Sequence, residues 1–239
     1  MASRKAEPTD AQTRISTLTG QPGSATHAPR SATSKPSPLI RSAMKFAARC
    51  HASQRRDSDQ APFIEHPVEV GRLLRDAGCP DVVIAAGLLH DVLENSHTSV
   101  AELTACFGAE VANLVQAVSD DASISSYRQR KQLLREQVRN AGGDATLIFA
   151  ADKISKIREL PDRIARDRAR YGGAVPAHLQ HDHQLRIEHY KESLRMLRAI
   201  APRHPLINRL ANELRNCPTG TTTRFAGTSR NRPAHRRGA

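Results

Sequence analysis

Asp81-Val82-Val83-Ile84-Ala85-Ala86-Gly87-Leu88-Leu89-His90-Asp91-Val92-Leu93-Glu94-Asn95 is the stretch whose reading decides the fold. Pro80 and Asp81 open it as they open helices. The run Val82–Leu89 shows no alternation of apolar and polar residues, so it reads as a helix buried on most sides. It is far too short to cross a bilayer. Then the apolar run meets His90, Asp91 and Glu94. At about 100° per residue, with His90 as zero, Glu94 falls at about 40°, Asp91 at about 100° and Asn95 at about 140°, all on one arc. An imidazole and carboxylates on a buried helix need a compensating partner. A divalent cation suits both ligand types; an Asp–His hydrogen bond at a helix end would also meet the need.

Outward from that helix, the periodicity stays helical. Residues 39–51 carry apolar side chains at 40, 43, 44, 47 and 48. Pro67 suits the first turn of a helix continuing through Val68, Val70, Leu73 and Leu74. Ser99 with Glu102 forms a capping-box start, and Phe107-Gly108 a glycine end. Further helices are predicted at 109–118, 124–139, 144–158, 162–169, 178–200 and 203–215. No strand pattern of any length appears, and the fold class is all-α, a single helical domain over residues 39–216.

The flanks differ in kind. Residues 1–38 and 217–239 are rich in Ser, Thr, Pro, Gly and Ala without apolar period, and both are predicted to be disordered tails. Of the net charge of +12, residues 1–38 contribute +3 (five basic, two acidic) and 217–239 contribute +5 (five Arg). The body is therefore not a basic slab: nucleic acid is not its expected partner, though the Arg-rich tail could touch one. Aromatics are 3% with no Trp, which argues against a base-stacking platform. Cys50, Cys79, Cys106 and Cys217 form no C-x-x-C pair, which argues against a thiolate zinc site. No secretory pattern or membrane span is visible, and the expected setting is cytoplasmic with reduced thiols. Oligomeric state stays open.

Two more segments carry chemistry. In Leu147-Ile148-Phe149-Ala150-Ala151-Asp152-Lys153-Ile154 a carboxylate interrupts an apolar helix. A buried, uncompensated charge is costly, so Asp152 should face a cation, or else pair with Lys153 or Arg158. In Phe63-Ile64-Glu65-His66-Pro67, His66 precedes a proline-started helix, a rigid place from which to present an imidazole. His66, His90, Asp91 and Asp152 together offer two nitrogens and two carboxylates.

This pattern resembles the HD superfamily of metal-dependent phosphohydrolases. It extends further: Phe46-Ala47-Ala48-Arg49-Cys50-His51, Gln54-Arg55-Arg56, Pro62–Pro67, Leu88–Glu94, Phe107–Val111 and Ala151-Asp152-Lys153 occur in the order of the RelA/SpoT-type guanosine bis(diphosphate) hydrolases, most like their small stand-alone members. The resemblance spans about residues 40–215. It implies that His66, His90, Asp91 and Asp152 hold one divalent ion, Mn²⁺ in the family pattern, with Fe or Zn also suited. It implies that Glu94, with Asn95 beside it, helps to activate or place the attacking water, and that the 3′ diphosphate of a guanine nucleotide leaves as pyrophosphate. Arg56, Lys156 and Tyr190 fall at substrate-contacting positions, and Arg128, Arg130 and Lys131 where the family places basic residues near the 5′ phosphates. His51 falls at a position that is not a ligand and reads as a structural hydrogen-bonding histidine. His178, His181 and His183 read as an exposed face rather than a second metal site.

Three departures stand out. The family pairs Glu with Asp, but here Glu94 is followed by Asn95, and an amide cannot take a proton. Asp57 stands where a basic residue usually follows Arg56, and Lys156 replaces an Asn. The expected activity is metal-dependent hydrolysis of guanosine 3′,5′-bis(diphosphate). The alternatives are a degenerate HD domain that senses such a nucleotide, and a phosphohydrolase of another nucleotide.

Overall fold

A computed structural model describes residues 35–217, and the segments predicted to be disordered lie almost wholly outside the described residues. Ten helices follow in order: α1 (Pro38–Cys50), α2 (Glu65–Asp76), α3 (Asp81–Leu89), α4 (Val92–Asn95), α5 (Val100–Phe107), α6 (Ala109–Val118), α7 (Tyr127–Ala141), α8 (Gly143–Arg170), α9 (Ala177–Ile200) and α10 (Pro205–Asn216). There is no strand among the described residues; one isolated bridge joins Arg55 to Pro62 in the α1–α2 loop. The all-α expectation holds.

The sequence explains most of the starts and stops. Ser37 caps α1 with Pro38 at its first position. Ser99 accepts from the Glu102 N–H at 3.1 Å, as the capping-box spacing predicts. Gly108, at φ 86°, ends α5 and lets α6 leave in a new direction.

α3 is the hub. Every residue from Val83 to Leu89 is buried, and the helix packs on α1, α2, α6 and α8. Uniform apolarity leaves it no face to turn to water. Its contact with α2 depends on two glycines. A Cβ at Gly71 would sit 2.8 Å from Leu88, and one at Gly87 would collide with Leu74. This close crossing brings the start of α2, with His66, next to the end of α3, with His90.

Two expectations need correction. The arc from His90 to Asn95 is not one continuous helix. α3 stops at Leu89, His90 and Asp91 form a turn, with Asp91 at φ −94°, ψ −4°, and α4 then carries Glu94 and Asn95. Conversely, the helices expected at 144–158 and 162–169 are one 28-residue α8 with Pro161 inside. An interior proline costs about 3 kcal/mol. Anchors on both sides of it offset that cost. Ile157, Leu160 and Ile164 are buried, and Asp167 of the last turns pairs with His183 of α9 at 2.8 Å.

Candidate metal centre and cavity

Three elements that are distant in sequence meet at one buried point. His66 enters from the first turn of α2, His90 and Asp91 from the end of α3, and Asp152 from the middle of α8; all four are buried. His66 Nε2 lies 3.1 Å from His90 Nε2, 3.4 Å from Asp91 Oδ2 and 3.2 Å from Asp152 Oδ1. His90 Nε2 lies 3.3 Å from the same Asp91 oxygen and 3.5 Å from the same Asp152 oxygen. One ligand-type atom each of His66, His90 and Asp152 lies within 4.8 Å of the other two, and Asp91 Oδ2 stands beside both nitrogens at the distances just given.

The hydrogens around this point can be assigned by elimination. Ser155 Oγ donates to Glu69 Oε2 at 2.6 Å, because a carboxylate only accepts. The His66 Nδ1 that meets Ser155 Oγ at 2.9 Å must therefore carry its proton. Glu159 Oε1, at 3.3 Å from the same nitrogen, agrees. His90 Nδ1 faces the Gly87 carbonyl at 2.8 Å and must donate as well. With Nδ1 engaged in this way, each ring when neutral turns its Nε2 lone pair toward the other. Asp91 Oδ2 and Asp152 Oδ1 are buried and accept no hydrogen bond. Two ring nitrogens and two carboxylate oxygens therefore converge, an arrangement that repels itself unless a proton or a metal cation occupies the middle. Ligands at about 2.1 Å from a divalent ion stand about 3.0–3.4 Å from one another in octahedral or tetrahedral arrangements. Four of the five spacings, 3.1–3.4 Å, fall in that range and the fifth, 3.5 Å, lies just beyond it, so the residues fit such an ion.

The electrostatics point the same way. Burial disfavours a charged His66 ring, but the Asp152 and Glu159 carboxylates beside it, with the Asp91 charge, outweigh burial and push its pKa up to about 9. Burial also opposes the charges on Asp91 and Asp152. His90, Lys156 and His66 overcome it for Asp91, and Lys153 and Lys156 for Asp152, so both carboxyls sit well below the usual range. The centre attracts positive charge in any form.

Asp152 also does what the alternative reading asked of it. Its Oδ2 accepts from Lys153 Nζ at 2.5 Å, while Oδ1 faces the imidazoles. The buried Lys153 ammonium lies 4.3 Å from the Phe149 ring centre, and burial lowers its pKa to about 8.

Beside the centre lies a cavity of about 420 Å³. Lys156 and Asn95 stand at its inner end; Lys156 Nζ is 3.2 Å from Asp152 Oδ1 and 3.8 Å from Asp91 Oδ1. Phe63, packed on the His66 ring at 5.9 Å, and the buried Tyr190 form apolar wall. Arg56 lines it too, held by Asp59, Glu65 and Glu159. Glu94 is half-buried. Its Oε1 accepts from the Asp120 N–H at 2.9 Å, and burial, followed by the Asp91 charge, raises its pKa.

The remaining sequence candidates lie elsewhere. Arg128 pairs with Glu188 at 2.9 Å on an exposed surface, and Lys131 pairs with Asp120; neither lines the cavity. His51 is buried and bonded to Gln54 at 2.8 Å, in keeping with a structural role. His183 pairs with Asp167, while His178 and His181 are exposed. Sequence reasoning missed Ser155, Glu69 and Glu159 behind His66, and Arg163 and Arg186 on the cavity wall. A signal existed for the first two: Ser155 follows Asp152, and Glu69 follows His66, by the three residues that place side chains on one helix face.

Comparison with known proteins agrees with this geometry. The HD domain family matches residues 43–184. The human guanosine-3′,5′-bis(diphosphate) 3′-pyrophosphohydrolase MESH1 is 41% identical over 121 residues, which cover 49% of this chain and 67% of that protein. The Drosophila melanogaster protein of the same name is 34% identical over 128 residues, covering 52% and 71%. A solved structure described as a metazoan ortholog of SpoT that hydrolyses ppGpp superposes with a TM-score of 0.64 at 27% identity, covering 78% of this chain and 99% of that one. With its ligand-type residues at one buried point of an all-helical body, this chain belongs to the HD domain family.

Proposed function

We propose that the chain is a divalent-metal-dependent phosphohydrolase that releases pyrophosphate from the 3′ position of guanosine 3′,5′-bis(diphosphate). The observation that carries this reading is the convergence of two imidazole nitrogens and two carboxylate oxygens beside a cavity with cationic walls. His66, His90, Asp91 and Asp152 would hold the ion, with Mn²⁺ as the native metal. A bound divalent ion lowers the pKa of water and offsets phosphate charge. The likeness to MESH1 supports the choice of substrate.

The chain's own residues divide the remaining work. Ser155 and Glu69 hold the His66 proton on Nδ1, so Nε2 stays a ligand. Glu94 is a carboxyl of raised pKa, fixed through Oε1 by the Asp120 N–H, and takes the proton of the attacking water. Water adds to the phosphorus on O3′, the P–O3′ bond breaks, and O3′ gains a proton while pyrophosphate leaves. Tyr190 and Phe63 supply apolar wall for the nucleoside, and Lys156 and Arg56 supply positive charge. The four cysteines are unpaired thiols, which supports a reducing, cytoplasmic setting.

One observation favours a second reading, a nucleotide sensor without efficient turnover. Asn95 replaces a proton-carrying group, and the Lys156 ammonium already neutralises part of the ligand charge. A turnover assay separates the two. Purified protein with Mn²⁺ is offered ppGpp, pppGpp, deoxynucleoside triphosphates and cyclic nucleotides. Pyrophosphate with GDP from ppGpp is the expected result; nucleotide binding without release would install the sensor reading.

A further inference from the structure

The proposed reaction leaves one pair on the cavity wall without a role. Asp57 follows Arg56 on the α1–α2 loop, and Arg163 faces it from α8; both line the cavity. Arg163 donates to Asp57 Oδ2 at 2.6 Å, and Arg166 donates to the Asp57 backbone carbonyl. The pair is lopsided. The Asp57 side chain is 74% exposed and the Arg163 side chain 25%, so the guanidinium is the sheltered partner and the carboxylate stands at the rim.

A guanidinium has five N–H donors, and the bond to Asp57 uses one. No second carboxylate pairs with Arg163 among the described residues. Arg56 and Lys156 are different: the first is held by three carboxylates, the second by two ligand carboxylates. An ion pair this open to water adds little stability, so a stronger anion can draw on the same guanidinium at small cost. Arg163 also lies on the same strip of α8 as the centre. Asp152, Lys156 and Arg163 fall within about 40° of one another around the helix, and Arg163 is about 10 Å beyond Lys156 along it. Measured from Asp152 the rise is about 16 Å, a span that the long Arg163 side chain and a nucleotide phosphorylated at both ends can bridge together.

We propose that Arg163 is a specificity-determining residue that binds the 5′ phosphates of a substrate whose 3′ diphosphate lies at the metal centre, and that Asp57 is a positioning residue that aims its guanidinium. The charge that the family resemblance expects directly after Arg56 is thereby supplied from the opposite wall. The assignment rests on the proposed function for the identity of the 3′ group.

The test compares two substrates on the full-length, Mn²⁺-loaded protein. One is guanosine 3′,5′-bis(diphosphate); the other carries the 3′ diphosphate and a free 5′ hydroxyl. Charge-assisted bonds to phosphate set the scale of the effect. Arg163→Ala should cut the wild-type preference for the 5′-phosphorylated substrate, as a ratio of kcat/KM, about 10- to 100-fold. The loss should fall on KM. Arg163→Lys should lose part of it, as a point charge replaces a fork. Asp57→Ala should raise KM for the 5′-phosphorylated substrate alone, and Asp57→Glu should restore it; this pair also stands in if Arg163→Ala does not fold. Equal loss on both substrates, or no loss on either, overturns the assignment. If the wild type turns over neither compound, the proposed function has failed and the assignment has not. The same ratio is then read from dissociation constants by calorimetry, where an unchanged ratio in Arg163→Ala overturns it.

Discussion

Beside the inner end of the cavity, donor atoms of His66, His90, Asp91 and Asp152 face one another in a buried cluster. At its outer end, Arg163 meets one rim carboxylate and Arg186 lines the wall. The inner end gathers ring nitrogens and carboxylates suited to a cation, and the outer end offers guanidinium groups suited to an anion. The inner atoms are held by the crossing of α2, α3 and α8, through the near-contacts at Gly71 and Gly87. The outer groups are tips of long side chains close to water. Rigid, buried charge is expensive to disturb, whereas charge at a wet rim is cheap to disturb and easy to retune. The contrast implies steep effects from inner-end changes and graded ones from outer-end changes.

The largest effect should come from Asp152→Ala. It removes a ligand oxygen and strands the buried Lys153 ammonium that Oδ2 holds. Turnover should become undetectable, and chemical denaturation of the metal-free protein should show a loss of about 3–5 kcal/mol. A loss under about 1 kcal/mol would mean that Lys153 finds another partner and that the inner end is softer than described. Next comes the acid/base pair. Glu94→Gln should lower kcat about 10²–10⁴-fold with the ion still bound. Asn95→Asp should raise turnover of ppGpp, because it restores a group that carries a proton. Equal inertness of wild type and Asn95→Asp, with nucleotide still bound, would favour the sensor.

A third effect separates the two ends by pH. In metal-free protein the pKa of His66 is raised from 6.5 to about 9. The stability this proton confers is complete below about pH 6.5 and is lost as pH rises through about 9. The loss should be on the order of 3 kcal/mol, visible as a falling melting temperature between those limits. Mn²⁺, taking the proton's place, should flatten the curve; the same slope with and without Mn²⁺ would remove His66 from the site. The smallest effect should follow from Ser155→Ala, which deletes the hydroxyl that holds His66 Nδ1. Mn²⁺ affinity should fall about 10- to 100-fold, the usual consequence of losing a group that orients a ligand, and calorimetric titration reads it directly.

The same contrast explains what could be read from the chain alone. The buried hub was legible because Val82–Leu89 has no polar face, so one packing solution remains. His66, His90, Asp91 and Asp152 stood out because ligand-type side chains interrupt apolar helices, where chance polar residues are costly. The break after Leu89 was not legible, since His90 and Asp91 keep near-helical dihedrals and neither Gly nor Pro marks the spot. Nor was the passage of α8 through Pro161, which depends on contacts made by distant residues. The outer end was the least legible. Arg163 belongs to a segment that also contains Arg158, Arg166, Arg168 and Arg170, and nothing in that spacing says which guanidinium faces a cavity. Arg128, on a similarly basic helix, turns to solvent instead.

The central claim is that the four converging donor atoms are a metal site. Chelator-stripped protein should be titrated with Mn²⁺ by calorimetry, and the reloaded protein submitted to elemental analysis. One tightly bound ion per chain is expected, absent in Asp152→Ala. A wild-type protein that retains no Mn, Fe or Zn after supplementation with each would contradict the account.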